Sequence, residues 1–396
     1  MNNASADVKV LGGAKVTAKT DVDVDAQGSV LADDSVAVKA ETGKLTADAA
    51  TGSITVADKA DVDAKTTLGL TAGTFVKVTE NAQVDAGDAI AVTANGGDVT
   101  VDQSADVTSA KGVTVTAKNG VDVLDDATVT ANGGDVTLTA QTEDVKVTGD
   151  IAASANVAVD ANTTAEVSDN GTVKATTGDV GVTAKNEVTV TGTAVVEAGK
   201  AVTVKSTDAG DITVDTTGSV AANDGAVTVD NDNGAVTIQN ATVEAKGATG
   251  SVDIDATTGV TVQKDSQDAK IIAAKDVTVD TTGGDILVKD GSKVEAANGK
   301  VTLTASKGVD VLGDATVKAN GGDAVLTAQG EDVKVTGDVA ASANVAVNAN
   351  TSVEVSEDGT VKAGADMTVK APTITQDGGL IEAANAMSLD GNVHQN

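Results

Sequence analysis

Cysteine, tryptophan, tyrosine and arginine are absent from this sequence, and proline, phenylalanine and histidine occur once each. An alphabet without cysteine and nearly without histidine and aromatic rings is too poor for most chemistry. With one histidine and no cysteine to share a metal, His394 reads as part of a solvated tail rather than as a ligand. A globular core of this length normally relies on aromatics and many Leu or Ile. Here Val and Ala carry the apolar work, and such small side chains require a narrow core, because wide spaces would remain as cavities. Positive charge is scarce too: 27 basic residues against 59 acidic ones leave a net charge of -32 and a pI near 4.1. Nucleic acid and anionic membranes call for clustered cations, so neither is expected as a partner. No apolar run approaches the ~18 residues of a membrane span, so direct membrane insertion is not expected either. The opening MNNASADVKV lacks the charged and apolar regions of a secretory signal, and a leader already removed or another export route is expected.

Acidity with few aromatics also suits disorder, but the apolar residues here, 40% of the chain, are strictly ordered. Segments such as VTVTA, VTLTA, VDVDA, VAVNA and VDIDA alternate with period two and are bounded by Gly, Asn or Asp, the pattern of short strands. One unit is clearest in KGVTVTA-KN-GVDVL-DD-ATVTA. There Val113, Val115, Val121, Val123, Ala127 and Val129 point one way and Thr114, Thr116, Asp122 and Thr128 the other. Each unit holds three strands. Taking each third strand to end at an Ala gives seventeen markers from Ala18 to Ala383, among them Ala110, Ala155 and Ala343, or about 23 residues per unit. The widest interval, Ala245 to Ala273, contains an enlarged corner loop at 263–270. Residues 121–175 match 309–363 at an offset of 188, with roughly four positions in five identical, as expected where whole coils of an array are copied.

These features predict an all-β fold over 1–396: a single right-handed parallel β-helix (solenoid), three strands per coil, about 17 coils of about 23 residues. Strands ~4.8 Å apart would make this a rod of roughly 80 Å. Branched Val and Thr suit the pleat, Gly, Asn and Asp suit the corners, and Pro is nearly absent because ladders need their N–H donors. Met367 and Met387 fall at inward positions and Phe75 at an outward or corner one.

Two ligand classes arise from the outward residues. Asp-rich corners such as Gly96-Gly97-Asp98 offer oxygens to Ca²⁺, but the calcium-binding nonapeptide motif is missing, and Asp as a turn former is the expected role. No cofactor is expected. Thr-x-Thr pairs such as Thr114/Thr116, Thr137/Thr139 and Thr302/Thr304 suggest an ice-binding face, interrupted by Asp23, Asp25, Asp253, Asp255 and Lys205 at equivalent positions. A polysaccharide-cleaving β-helix would need a groove with stacking aromatics and a distinct carboxylate pair. Neither is written here, and no enzyme is expected.

Tandem units containing DVTLTA, VTVTGTA and VTANGG resemble the β-helical repeat regions of filamentous-haemagglutinin-type adhesins and autotransporter passengers. The resemblance implies a secreted or surface-held rod serving adhesion, aggregation or biofilm, with cell-surface or matrix components as partners. The lack of cysteine fits passage through an export pore.

Residues 7–18 read as strands two and three of a coil without strand one, and residues 384–390 as a strand one whose partners are missing. The two part-coils are complementary, and neither carries a polar cap. Head-to-tail stacking into an open homopolymer is therefore expected, with Met387 and Leu389 of one copy near Val8, Val10 and Val16 of the next. The alternative is a stalk piece of a larger adhesin that does not polymerise.

Overall fold

The computed structural model describes residues 1–3 and 6–395. Every regular element in them is a β-strand, and the chain winds as a parallel β-solenoid of about 17 coils of about 23 residues, three strands to a coil. It falls into two compact units: Met1–Lys185 with Ala194–Ala198, and Asn186–Thr193 with Gly199–Asn396.

In the first unit, strand one of successive coils forms a parallel ladder through Val22–Ala26, Leu45–Ala49, Leu68–Ala72, Ile90–Ala94, Val113–Ala117 and Val136–Ala140. Strand two stacks in the same way from Val8–Val10 to Ala165–Val167. Strand three stacks from Lys15–Ala18 to Val195–Ala198. The second unit repeats the plan, for example through Val252–Ala256, Gly259–Gln263 and Lys270–Ala273.

The register explains why Val and Ala suffice. Each inward residue sits on its equivalent one coil away, so Ile90, Val113 and Val136 form one buried column. Ala94, Ala117 and Ala140 form another at the end of strand one. Ala is small enough there to let the chain turn the corner within a narrow cross-section. In the second unit Ser206, Asn231 and Thr281 replace Ala in that column and are equally buried. Each compensates by bonding a corner carbonyl: Asn231 Nδ2 donates to Gly210 O (3.0 Å) and Ala235 O (2.8 Å), and Thr281 Oγ1 to Gly284 O (2.7 Å).

The corner between strands two and three is often a two-residue turn with both central residues at positive φ, as in Asp58-Lys59, Glu80-Asn81 and Gln103-Ser104. Ala60, Ala82 and Ala105 close these turns by donating to Ala57, Thr79 and Asp102 carbonyls at 3.0–3.2 Å, the geometry of a type I′ turn. Lys59, Glu80 and Gln103 are unusual there. The ladder holds them: Asn81 N–H bonds Gln103 O (3.0 Å) in the neighbouring coil.

Four sequence expectations change. The third strands end at Ser109, Ala153 and Ala341, not at Ala110, Ala155 and Ala343. Ser109 has taken the Ala column position, and each ASA run offers two alanines for one slot. Residues 7–18 do have a strand-one segment before them, Asn2–Asn3, parallel to Asp25–Ala26. The strand beginning at Met387 runs on to Gln395 and supplies strand two as well, with Asn392–Gln395 on Thr373–Gln376. The loop within 263–270 is confined to 264–269, because Gln263 and Lys270 belong to strands.

Candidate functional site: the uncovered coil and the carboxylate columns

The five residues expected to stack occupy two coils. Val8 and Val10 lie on strand two of the first unit's N-terminal coil, only 8% and 7% exposed, beneath Val30 and Ala32. Val16, on strand three, is half-buried. Met387 and Leu389 lie on the second unit's C-terminal coil, in register with Met367 and Val369. Met367, Val369 and Ile374 are each at most 1% exposed, whereas Met387, Leu389 and Val393 in the same columns are 43%, 37% and 49% exposed. On strand three the inward column of Val361 continues through the half-buried Ile381, while Leu380, in register with the outward Thr360, is exposed. Met387 thus holds an inward position that none of the described residues covers. His394 is exposed on the same strand, opposite Thr375.

Corner carboxylates do more than shape turns. Before strand one, Asp323 Oδ1 accepts the N–H of Asn344 (2.9 Å), Asn344 Oδ1 that of Asp366 (3.1 Å), and Asp366 Oδ1 that of Ala386 (3.1 Å). Asp21, Asp135 and Asp276 do the same for Lys44, Asn156 and Lys300. A second column, before strand two, pairs Asp7, Asp98, Asp211 and Asp285 with the amides of Ser29, Gly120, Ala235 and Gly308. These side chains rivet one coil to the next at the corners and strand starts. Sequence reasoning missed this because the partners lie 20–24 residues apart; Asp or Asn recurring at a fixed phase of the repeat was the available signal.

Outward carboxylates also stack. Asp230, Asp255 and Asp280 are in-register neighbours, with Lys205 at the head of the column, 2.5 Å from Asp230 and 3.2 Å from Asp232. Burial, then the charges of Asp253, Asp280 and Asp230, push the Asp255 carboxyl up to about 6. Burial, then Asp144 and Asp98, push Asp122 up to about 6 as well, and its duplicate Asp310 is raised by the same causes, burial before the neighbouring acids. Asp23, Asp25 and Asp48 place carboxylate oxygens within 4.8 Å of one another, the closest such group to a calcium-like donor set among the described residues. Asp23 there already accepts from Thr46 Oγ1 (2.5 Å).

The Thr positions form a true column in the first unit: Thr71, Thr93, Thr116 and Thr139 are in register. Asp48 precedes this column and Asp160 follows it, and its neighbours include Gly69 and Ala91. The enlarged loop is capped by Asn240, whose Oδ1 accepts the N–H groups of Asp265, Ser266 and Gln267 at 2.8–3.1 Å. Lys264 and Lys270 both pair with Asp268, holding its carboxyl below the usual range. Beside the loop a groove of about 330 Å³ is lined by Lys264, Asp265, Asp290 and Asp314, acidic and without any aromatic.

No protein-family model, no curated protein and no solved structure matches the chain.

Proposed function

We propose that the chain is an extracellular structural protein, a fibre or filament subunit that stacks head to tail with further copies of itself and serves surface adhesion or a biofilm matrix. One observation carries this reading: Met387, Leu389 and Val393 continue apolar columns whose preceding members are at most 1% exposed, yet themselves stand open. An open solenoid face presents both unpaired strand backbone and core side chains, and another β-coil satisfies both at once. The composition supports the structural role, since cysteine, tryptophan, tyrosine and arginine are absent and histidine and phenylalanine occur once each. Because Val8 and Val10 are already buried, the receiving face contributes mainly its strand backbone, Val16 and the exposed Leu11.

Sedimentation velocity and electron microscopy of the 396-residue chain over a concentration series test the proposal. Unbranched fibres that disappear in a Met387→Asp/Leu389→Asp double variant are expected. Uniform monomers at every concentration would overturn it and favour a non-polymerising stalk segment of a larger adhesin.

A further inference from the structure

The chain contains seven Asn-Gly pairs, at Asn95, Asn119, Asn132, Asn170, Asn233, Asn298 and Asn320. All seven sit at corners, where the fold often leaves no alternative to glycine. A Cβ at Gly133 would lie 2.4 Å from the Ala110 carbonyl oxygen, and one at Gly321 would lie 2.3 Å from the Asn298 carbonyl carbon. An asparagine followed by glycine is chemically labile, because no Cβ shields the next amide nitrogen from the side-chain carbonyl. Whether a given pair reacts depends on what holds its two ends.

In six pairs something does. The Gly120, Gly171 and Gly234 N–H groups donate to Asp98 Oδ1, Ser168 O and Asn231 Oδ1. Gly96 N–H donates more weakly, to Thr74 O at 3.4 Å. Asn298 Nδ2 is held by Ala274 O and Asn320 Nδ2 by Glu295 Oε1. At the seventh, no hydrogen bond among the described residues engages either the Asn132 side chain or the Gly133 N–H, and Asn132 is exposed.

The geometry points to Asn132 as a site of self-modification, the first asparagine in this chain to convert to aspartate and isoaspartate. The Gly133 nitrogen, on losing its proton, forms a bond to Asn132 Cγ. The Cγ–Nδ2 bond breaks and ammonia leaves, giving a cyclic imide. Water then opens the imide at either carbonyl, so the net change is water consumed and ammonia released. The product adds one negative charge at a corner, and in the isoaspartate form one extra backbone methylene, which dislocates the stacked turn. In a long-lived extracellular fibre such a residue marks age.

The internal duplication supplies a built-in comparison. Asn320 is the copy of Asn132, within the same ANGGD sequence. The two differ one coil back, where Glu295 stands in the position that Thr108 holds for Asn132. The carboxylate restrains Asn320; the threonine leaves Asn132 free.

The experiment is peptide mapping by mass spectrometry of the folded chain held at mildly alkaline pH, with each site's conversion followed over time. Asn132 is expected to lead Asn320 by about fivefold, the factor that one net hydrogen bond gives at room temperature. Glu295→Ala is expected to bring Asn320 up to the rate of Asn132, and denaturant is expected to level the seven sites. Equal rates at Asn132 and Asn320 in the folded parent chain would overturn the assignment, a result that does not depend on the variant folding. An unchanged Asn320 rate in a folded Glu295→Ala chain would overturn the role of Glu295.

Discussion

Asp276 shows how much a single corner side chain carries. Its Oδ1 takes the Lys300 N–H at 2.9 Å, so Asp276→Ala leaves an amide without its partner and is expected to cost about 1 kcal/mol. Asp276→Asn keeps an acceptor oxygen and is expected to cost much less. Thermal melts of the two variants check this; equal losses would mean that the charge, not the acceptor, matters. The outward carboxylates act in the opposite sense. Asp122 and Asp255 have folded-state pKa values raised to about 6 from 3.8, so the folded chain binds protons more tightly than the unfolded one between those values. Stability therefore rises as pH falls from above 6 toward 4, and is lost again as pH rises through 6. A higher melting temperature at pH 5 than at pH 7.5 is expected, with the difference reduced in Asp122→Asn/Asp255→Asn. The lowered Asp268 works against this trend only at more acid pH, where its ion pairs are lost.

At the scale of strands and loops, the repeat makes the elements nearly interchangeable, and exceptions are bought locally. The 264–269 loop is one such exception, since Asn240 alone gathers three of its amides. Asn240→Ala is expected to open the loop and to raise tryptic cleavage at Lys264 severalfold, with little change in the melting temperature of the coils. Resistance equal to the parent chain would show that the Lys264–Asp268 and Lys270–Asp268 pairs hold the loop unaided. Strand assignment was legible in the sequence because each coil repeats an inward-outward alternation that local pattern alone can read, as Val113–Ala117 and Val121–Val123 show. The marker failed at Ser109 because a serine that bonds a corner carbonyl is a physical substitute for alanine there, which no alternation rule reveals. Asn2–Asn3 was invisible because two polar residues carry no apolar signal, although their backbone pairs normally. The inter-coil Asp and Asn bonds and the freedom of Asn132 were illegible for a related reason: each depends on what stands one coil away.

For the molecule as a whole, in the proposed filament a net charge of -32 would set copies against one another while the uncovered apolar columns would draw them together. Added salt screens the first term and leaves the second, so assembly is expected to strengthen with ionic strength in light scattering. Loss of assembly with salt would instead indicate joints made by ion pairs. Everything rests on successive coils lying in parallel register. The cysteine-free chain allows this to be measured directly by pairing Thr116→Cys with Thr139→Cys, outward neighbours in adjacent coils of the first unit. Adjacent parallel strands hold such positions about 4.8 Å apart, within disulfide reach. Rapid cross-linking of this pair under mild oxidation is expected, while Thr116→Cys with Thr183→Cys, three coils along, stays reduced. A reduced 116/139 pair, or a linked 116/183 pair, would contradict the solenoid.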